Sequence, residues 1–297
     1  MSERLSMDPA TLARIGNLEL VARWVVEGFI SGLHRSPNLG FSTDFAQHRP
    51  YVPGDDTRHV DWRVYGRTER TYVKTYEADT NVNFTVLLDV SASMGYGHGA
   101  ITKLAYAKLL AATLSWFSRQ QRDRVGLVTF ADDVRDIVPP SARHLPNVMH
   151  ALERAHAGGS GRLAAPLAKI AQLQPRRGIM LLISDLYESP ADVLRALGPL
   201  TGARHDVIVI QLLDAAERSF PFADAMTLRD LESGARLPVT PSQVRERYLA
   251  AMDAHVTAMR ATLGGARVDY SLVTTAQPLD AVLFDVLMRR EFLRTAV

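Results

Sequence analysis

Short apolar runs alternate with stretches of helical periodicity along most of the chain. Phe84, Val86, Leu87 and Leu88 form an apolar run without side-chain charge, bounded by Asn83 and by Gly95, Gly97 and Gly99. Such a run reads as a strand buried on both faces. Residues 101–119 follow with Leu104, Ala107, Leu110, Ala111, Leu114 and Phe117 at helical spacing. Further strands are expected at 123–130, 178–183, 207–212 and 268–273. A short edge strand at 134–138 should stop at Pro139-Pro140. Helices are expected at 144–155, 163–173, 191–197 and 279–293, and a long one to 263, capped by Ser242 and ended by Gly264-Gly265. Residues 226–237 read as a hairpin around Ser233-Gly234.

The first part of the chain is patterned differently. Residues 9–30 predict a helix, capped by Asp8 or Ser6 with Pro9 in the first turn. Leu12, Ile15, Leu18, Val21, Val25 and Phe29 form its apolar stripe. Residues 32–54 are loop-rich, and 71–76 and 82–88 read as two strands, a hairpin around 79–81. The expected division is a small N-terminal region of helix, loops and short strands over 1–80, then an α/β domain over 81–297 with a C-terminal helix–strand–helix extension. Apolar strands alternating with helices imply a mostly parallel open sheet, Rossmann-like, with helices on both faces.

Composition narrows the function classes. Lys and Arg number 34 against 32 Asp and Glu in 297 residues, so net charge offers no reason to expect nucleic acid or an anionic membrane as partner. The absence of cysteine excludes disulfides, Cys-ligated zinc and thiol catalysis. The early acids Glu3 and Asp8 argue against a secretory signal. Residues 18–30 contain Glu19, Arg23 and Glu27, too short and too charged for a span of about 20 apolar residues. A cytoplasmic protein without membrane insertion is expected.

The candidate chemistry begins where the strand at 84–88 ends. Asp89, Ser91 and Ser93 stand at alternate positions just before a helix. In open α/β sheets ligands bind beyond the carboxyl ends of the strands. One carboxylate and two hydroxyls there suit a hard cation, Mg²⁺ or Mn²⁺, which keeps several waters and needs few protein oxygens. The plain alternative is a strand end whose Ser and Asp cap the next helix. This Asp-x-Ser-x-Ser pattern resembles the metal-ion-dependent adhesion site of von Willebrand factor type A domains.

A second segment, Tyr51-Val-Pro-Gly-Asp-Asp-Thr-Arg-His-Val-Asp-Trp-Arg, combines a turn signal with charge and a large aromatic. It resembles the signature of bacterial domain-of-unknown-function family fifty-eight, which contains a type A-like domain. The likeness extends to His34-Arg35-Ser36, Gly40-Phe41, Asp44-Phe45 and Tyr76-Glu77. Arg35 splits the histidine from Ser36, and Gly66-Arg67 stands where the family has Ala-Arg. Asp55, Asp56, Arg58, Asp61 and Trp62 are expected either to buttress the sheet through ion pairs and the Trp62 ring or to bind a partner.

The resemblance implies three loops at the metal: Asp89, Ser91 and Ser93; then Ser160 after Gly158-Gly159, where the type A family has threonine; then Asp185 after Ser184. It also implies a non-enzymatic, metal-dependent protein-binding module, its cation completed by a partner's carboxylate. The expected partner is a MoxR-type AAA+ ATPase or its substrate, with this chain as adaptor or substrate selector. The alternative is a metal-dependent hydrolase on the same cation. Against other enzymes, no P-loop, no Gly-x-Ser-x-Gly elbow and no His-Glu-x-x-His spacing occur.

Overall fold

The structure, a computed structural model, describes residues 8–33, 48–50, 66, 71–74 and 82–295. Asp55, Asp56, Arg58, Asp61 and Trp62 lie outside the described residues.

Helix α1 (Pro9–Ala13) is capped by Asp8, whose carboxylate accepts from the Thr11 N–H, and α2 (Leu18–Leu33) follows. The expected single helix is therefore two. Gly16 at φ +69° supplies the left-handed residue that breaks it, and Ile15, in the break, is exposed rather than part of the apolar stripe. Two short strands come next, β1 (His48–Pro50) and β2 (Tyr72–Lys74), paired antiparallel with each other. The expected hairpin between β2 and the following strand does not form. That strand, β3 (Asn83–Asp89), has parallel neighbours on both sides and no free edge to offer.

A 3₁₀ turn (Ala92–Gly95) and helix α3 (Lys103–Gln120) follow β3. Then come β4 (Arg124–Phe130), β5 (Val134–Ser141), α4 (Leu145–Arg154), α5 (Ala164–Leu173) and β6 (Gly178–Ser184). The chain continues through α6 (Pro190–Gly202), β7 (Asp206–Leu213) and the short α7 (Ala215–Ser219). The hairpin β8 (Met226–Arg229) and β9 (Arg236–Val239) leads into α8 (Pro241–Gly265), β10 (Asp269–Thr274) and α9 (Leu279–Thr295). The N-cap of α8 is Thr240, not Ser242, because Pro241 opens the helix two positions earlier.

The main sheet has the order β10-β7-β6-β3-β4-β5, parallel throughout except for β5. This is the doubly wound order, and its reversal point lies between β3 and β6, where a crevice opens at the carboxyl ends. Alternation along each strand feeds two cores. Phe84, Val86 and Leu88 of β3 and Ile179, Leu181 and Ile183 of β6 pack against α1, α2, α3, α4 and α9. Leu87, Met180 and Leu182 pack against α5, α6 and α8 on the other face. The expected α/β sheet with helices on both faces is thus present.

The edge strand β5 runs through Pro139-Pro140 instead of stopping there. The two prolines bulge opposite Gly126, between the pairs Leu127↔Val138 and Val125↔Ser141. A Cβ on Gly126 would stand 2.8 Å from the Val138 carbonyl oxygen and 2.9 Å from the Pro140 nitrogen. Only glycine leaves room for them, and an edge tolerates the missing N–H groups.

The turn from β3 into α3 is equally tight. The Lys103 N–H donates to the Tyr96 carbonyl at 2.8 Å, and the Thr102 hydroxyl caps α3 by accepting from the Ala105 N–H. A Cβ on Gly97 would lie 2.5 Å from the Ile101 carbonyl oxygen and 2.7 Å from the Thr102 Cα, both backbone atoms that cannot swing aside. Gly97→Ala is therefore expected to destabilise the fold by about 1–3 kcal/mol, as overpacking does. Thermal denaturation followed by circular dichroism checks it; an unchanged midpoint would contradict the turn's tightness.

Candidate functional site

Strand β3 carries Asp89, 2% exposed, to the sheet's reversal point. Its Oδ1 accepts the Ser91 N–H at 2.8 Å, and its Oδ2 accepts the Ser184 hydroxyl at 2.6 Å. Ser184 ends β6, so this bond ties the two central strands together. The 3₁₀ turn then brings the Ser93 hydroxyl within 3.1 Å of the Ser91 hydroxyl. The loop around Ser160 is fastened alongside. The Gly158 N–H donates to the Val90 carbonyl at 2.8 Å, and the Ala92 N–H donates to the Gly159 carbonyl at 3.0 Å. Gly159 takes φ +84° there. Ser160 is half-buried in this loop, while the wall of the cleft is formed by its neighbour Gly161.

Asp185 follows Ser184 and is 4% exposed. Its backbone carbonyl accepts the Gln211 amide at 2.9 Å, and Gln211 in turn accepts the Tyr270 hydroxyl at 2.6 Å. Its Oδ2 receives the ammonium of Lys103 at 2.8 Å. Lys103, wholly buried at the start of α3, also reaches Glu217 Oε1 at 2.9 Å. The Tyr187 hydroxyl donates to the same Glu217 oxygen at 2.6 Å, and the Tyr187 ring lies beneath the ammonium. Glu217 is itself placed by a capping box with Asp214 at the start of α7. Burial works against the charge on Lys103, but Asp185 and Glu217 outweigh it and hold its pKa above the ordinary value.

Asp89, Ser93 and Asp185 thus line one cleft of ≈ 460 Å³, and the buried Ser91 is hydrogen-bonded to Asp89 and Ser93. The residues Lys103, Glu217, Tyr187 and Glu232 also line it and escape sequence reasoning. Only the Asp214-x-x-Glu217 capping box was a readable signal. Six carboxylates line the cleft (Asp89, Asp185, Glu188, Glu217, Asp230 and Glu232) against two cations, Lys103 and Arg229. Negative charge is in excess, and Asp89 registers it. Burial first, and then the charge of Asp185, push its carboxyl up to about 6 despite the bonds from Ser184 and Ser91.

Paired hydroxyls beside under-compensated carboxylates fit a hard divalent cation, whose ligands are oxygens. Among the described residues no group of three or more His, Asp or Glu forms a metal site of its own. The serine hydroxyls would therefore have to contribute.

The shift at Asp89 has a consequence for the metal-free protein. Its folded pKa exceeds the ordinary 3.8, so ionising it opposes folding. The penalty is absent below about pH 4, grows up to about pH 6 and is complete above. Asp89→Asn keeps an acceptor for the Ser91 N–H and removes the charge. In EDTA it is expected to raise the melting temperature at pH 7, with the gain vanishing as pH falls to about 4. A pH series of melting curves for both proteins checks this.

Among the described residues no helix is long and apolar enough to cross a membrane. An uncharacterised protein of Mycobacterium tuberculosis is 28% identical over 265 residues, 87% of this chain and 83% of the relative. Similar solved structures include an aerotolerance-related membrane protein from Bacteroides fragilis, at 16% identity and TM-score 0.48, covering 70% of this chain and 97% of that one. Another is the VWA domain of SpRpn10, at 13% identity and TM-score 0.40, covering 68% and 94%. The family model described as "protein of unknown function DUF58" matches residues 47–258, a span that contains Asp89, Ser91, Ser93, Ser160 and Asp185. The chain belongs to that family.

Proposed function

We propose that this protein is a non-enzymatic, cation-dependent protein-binding module of the cytoplasm. Asp89, Ser91, Ser93, Ser160 and Asp185 would hold Mg²⁺ or Mn²⁺, some through water. The cation would supply positive charge and an open coordination position for an acid on a partner protein. The observation that carries this reading is the charge of the cleft: six carboxylates against two cations, beside a pair of hydroxyls. A partner's acid entering that field without a bound cation meets a net excess of negative charge. With a divalent cation at the serine pair it meets attraction in a partly water-excluded site, where such a contact makes a binding hot spot. The partner proposed is a MoxR-type AAA+ ATPase or its substrate, with this chain as adaptor or selector, and that step rests on the family resemblance.

A metal-dependent hydrolase is the second reading, and one observation favours it: Glu188 and Glu232 line the same cleft and could serve as a base. Each, however, already holds a backbone N–H, of Leu163 at 2.8 Å and of Gly161 at 3.0 Å. A Mg²⁺-dependent turnover of p-nitrophenyl ester or phosphate substrates, lost in Glu188→Gln or Glu232→Gln, would favour the hydrolase.

Calorimetric titration with Mg²⁺ is expected to find one site in the wild type and none in Asp89→Ala. Equal binding by both would defeat the assignment. A pull-down from the native cytosol is expected to recover the ATPase in Mg²⁺ and to lose it in EDTA. Recovery in EDTA would defeat cation dependence.

A further inference from the structure

The hairpin β8–β9 stands between α7 and α8 and touches the cleft through its tip. Most of it faces solvent: Leu228 is 37% exposed and its cross-strand partner Leu237 is 61% exposed. The tip is held by its own bonds. The Asp230 N–H donates to the Ala235 carbonyl at 2.8 Å, and the Asp230 carboxylate accepts from the Glu232 N–H at 2.9 Å and from the Ser233 hydroxyl at 2.5 Å. Gly234 makes the turn at φ +73°. The tip is thereby a preformed support that aims Glu232 at the body of the protein.

Glu232 Oε1 accepts the Gly161 N–H at 3.0 Å, across 71 positions of sequence. Gly161 lies between this carboxylate and the serine pair. A Cβ at Gly161 would stand 2.9 Å from Glu232 Oε1 and 3.1 Å from Ser91 Oγ. Because the residue is glycine, no side chain separates the carboxylate from the hydroxyl. A tethered acid is therefore delivered to the rim of a cleft that already holds Asp89 and Asp185, where like charges oppose it.

We infer that Glu232 is the chain's own occupant of the acid position at the proposed cation site, and that a partner's acid binds by replacing it. This rests on the cation reading given above. The tether gives Glu232 an effective concentration on the order of millimolar, so a free acid must be abundant or carried on a well-matched surface to displace it. Leu228, Leu231 and Leu237 stand exposed on the same hairpin, so a protein whose acid replaces Glu232 meets an apolar face beside the site.

The probe is Mn²⁺, titrated calorimetrically into the full chain. Glu232→Gln keeps an acceptor for the Gly161 N–H and removes only the charge. It is expected to weaken Mn²⁺ binding roughly tenfold, the scale on which ligand charge tunes such sites. Glu232→Ala is expected to lose as much and to recover most of it in acetate, which leaves the wild type unchanged. Trypsin gives an independent readout at Arg229 and Arg236 of the hairpin: Mn²⁺ is expected to protect both in the wild type and neither in the Glu232 variants. Wild-type Mn²⁺ affinity in both Glu232 variants, with cleavage indifferent to Mn²⁺, would overturn the role of Glu232 and leave the cation site standing. No Mn²⁺ uptake by the wild type, as by Asp89→Ala, would overturn the cation reading itself and this inference with it.

Discussion

A concentration of negative charge at the carboxyl edge of the sheet, answered from within by a single buried ammonium, is the constraint on which the site depends. Moving a charge out of water costs several kcal/mol, roughly, and an ion pair returns it only when geometry and further hydrogen bonds are good. Lys103 meets that condition. It bridges Asp185 and Glu217 at 2.8 and 2.9 Å, over the Tyr187 ring. The first residue of α3 is thereby joined to the end of β6 and to α7, which follows β7. The Gly97 turn and the Thr102 cap bring the helix start to the place where its ammonium can do this. Asp89 is left outside the bridge, held only by a hydroxyl and an amide.

That asymmetry separates the two aspartates chemically. Asp185 holds the Lys103 ammonium on one oxygen. Among the described residues Asp89 has hydrogen bonds but no cation of its own, and burial first, then the charge of Asp185, raise its pKa. Stability is given up at Asp89, the pattern expected where a site is kept ready for a ligand rather than optimised for folding.

Much of the sheet was legible because both faces of its strands are buried. The apolar run at 84–88 reads as a strand buried on both faces, and the helices between strands imply parallel connections. The elements that misled were those whose partners are far away or absent from the pattern. The short strand 72–74 gave no sign that its partner was 48–50 rather than the next strand. Pro139-Pro140 reads as a stop, and only the glycine at 126 on the opposing strand lets β5 continue. At the site, Asp89, Ser91 and Ser93 share one short segment and announce themselves. Lys103, Glu217 and Glu232 are brought in from three different elements, and each looks in sequence like an ordinary surface charge. Burial and convergence gave them their importance, and neither is written in local spacing.

The proline pair in β5 has a wider effect than a local bulge. An outermost strand ordinarily offers a row of amide donors on which another chain can build. Here Pro139 and Pro140 carry no amide hydrogen, and the bulge bends the rim away from flatness. The proline end of β5 is thus a poor template for a foreign strand, which favours association through side-chain chemistry at the strand ends.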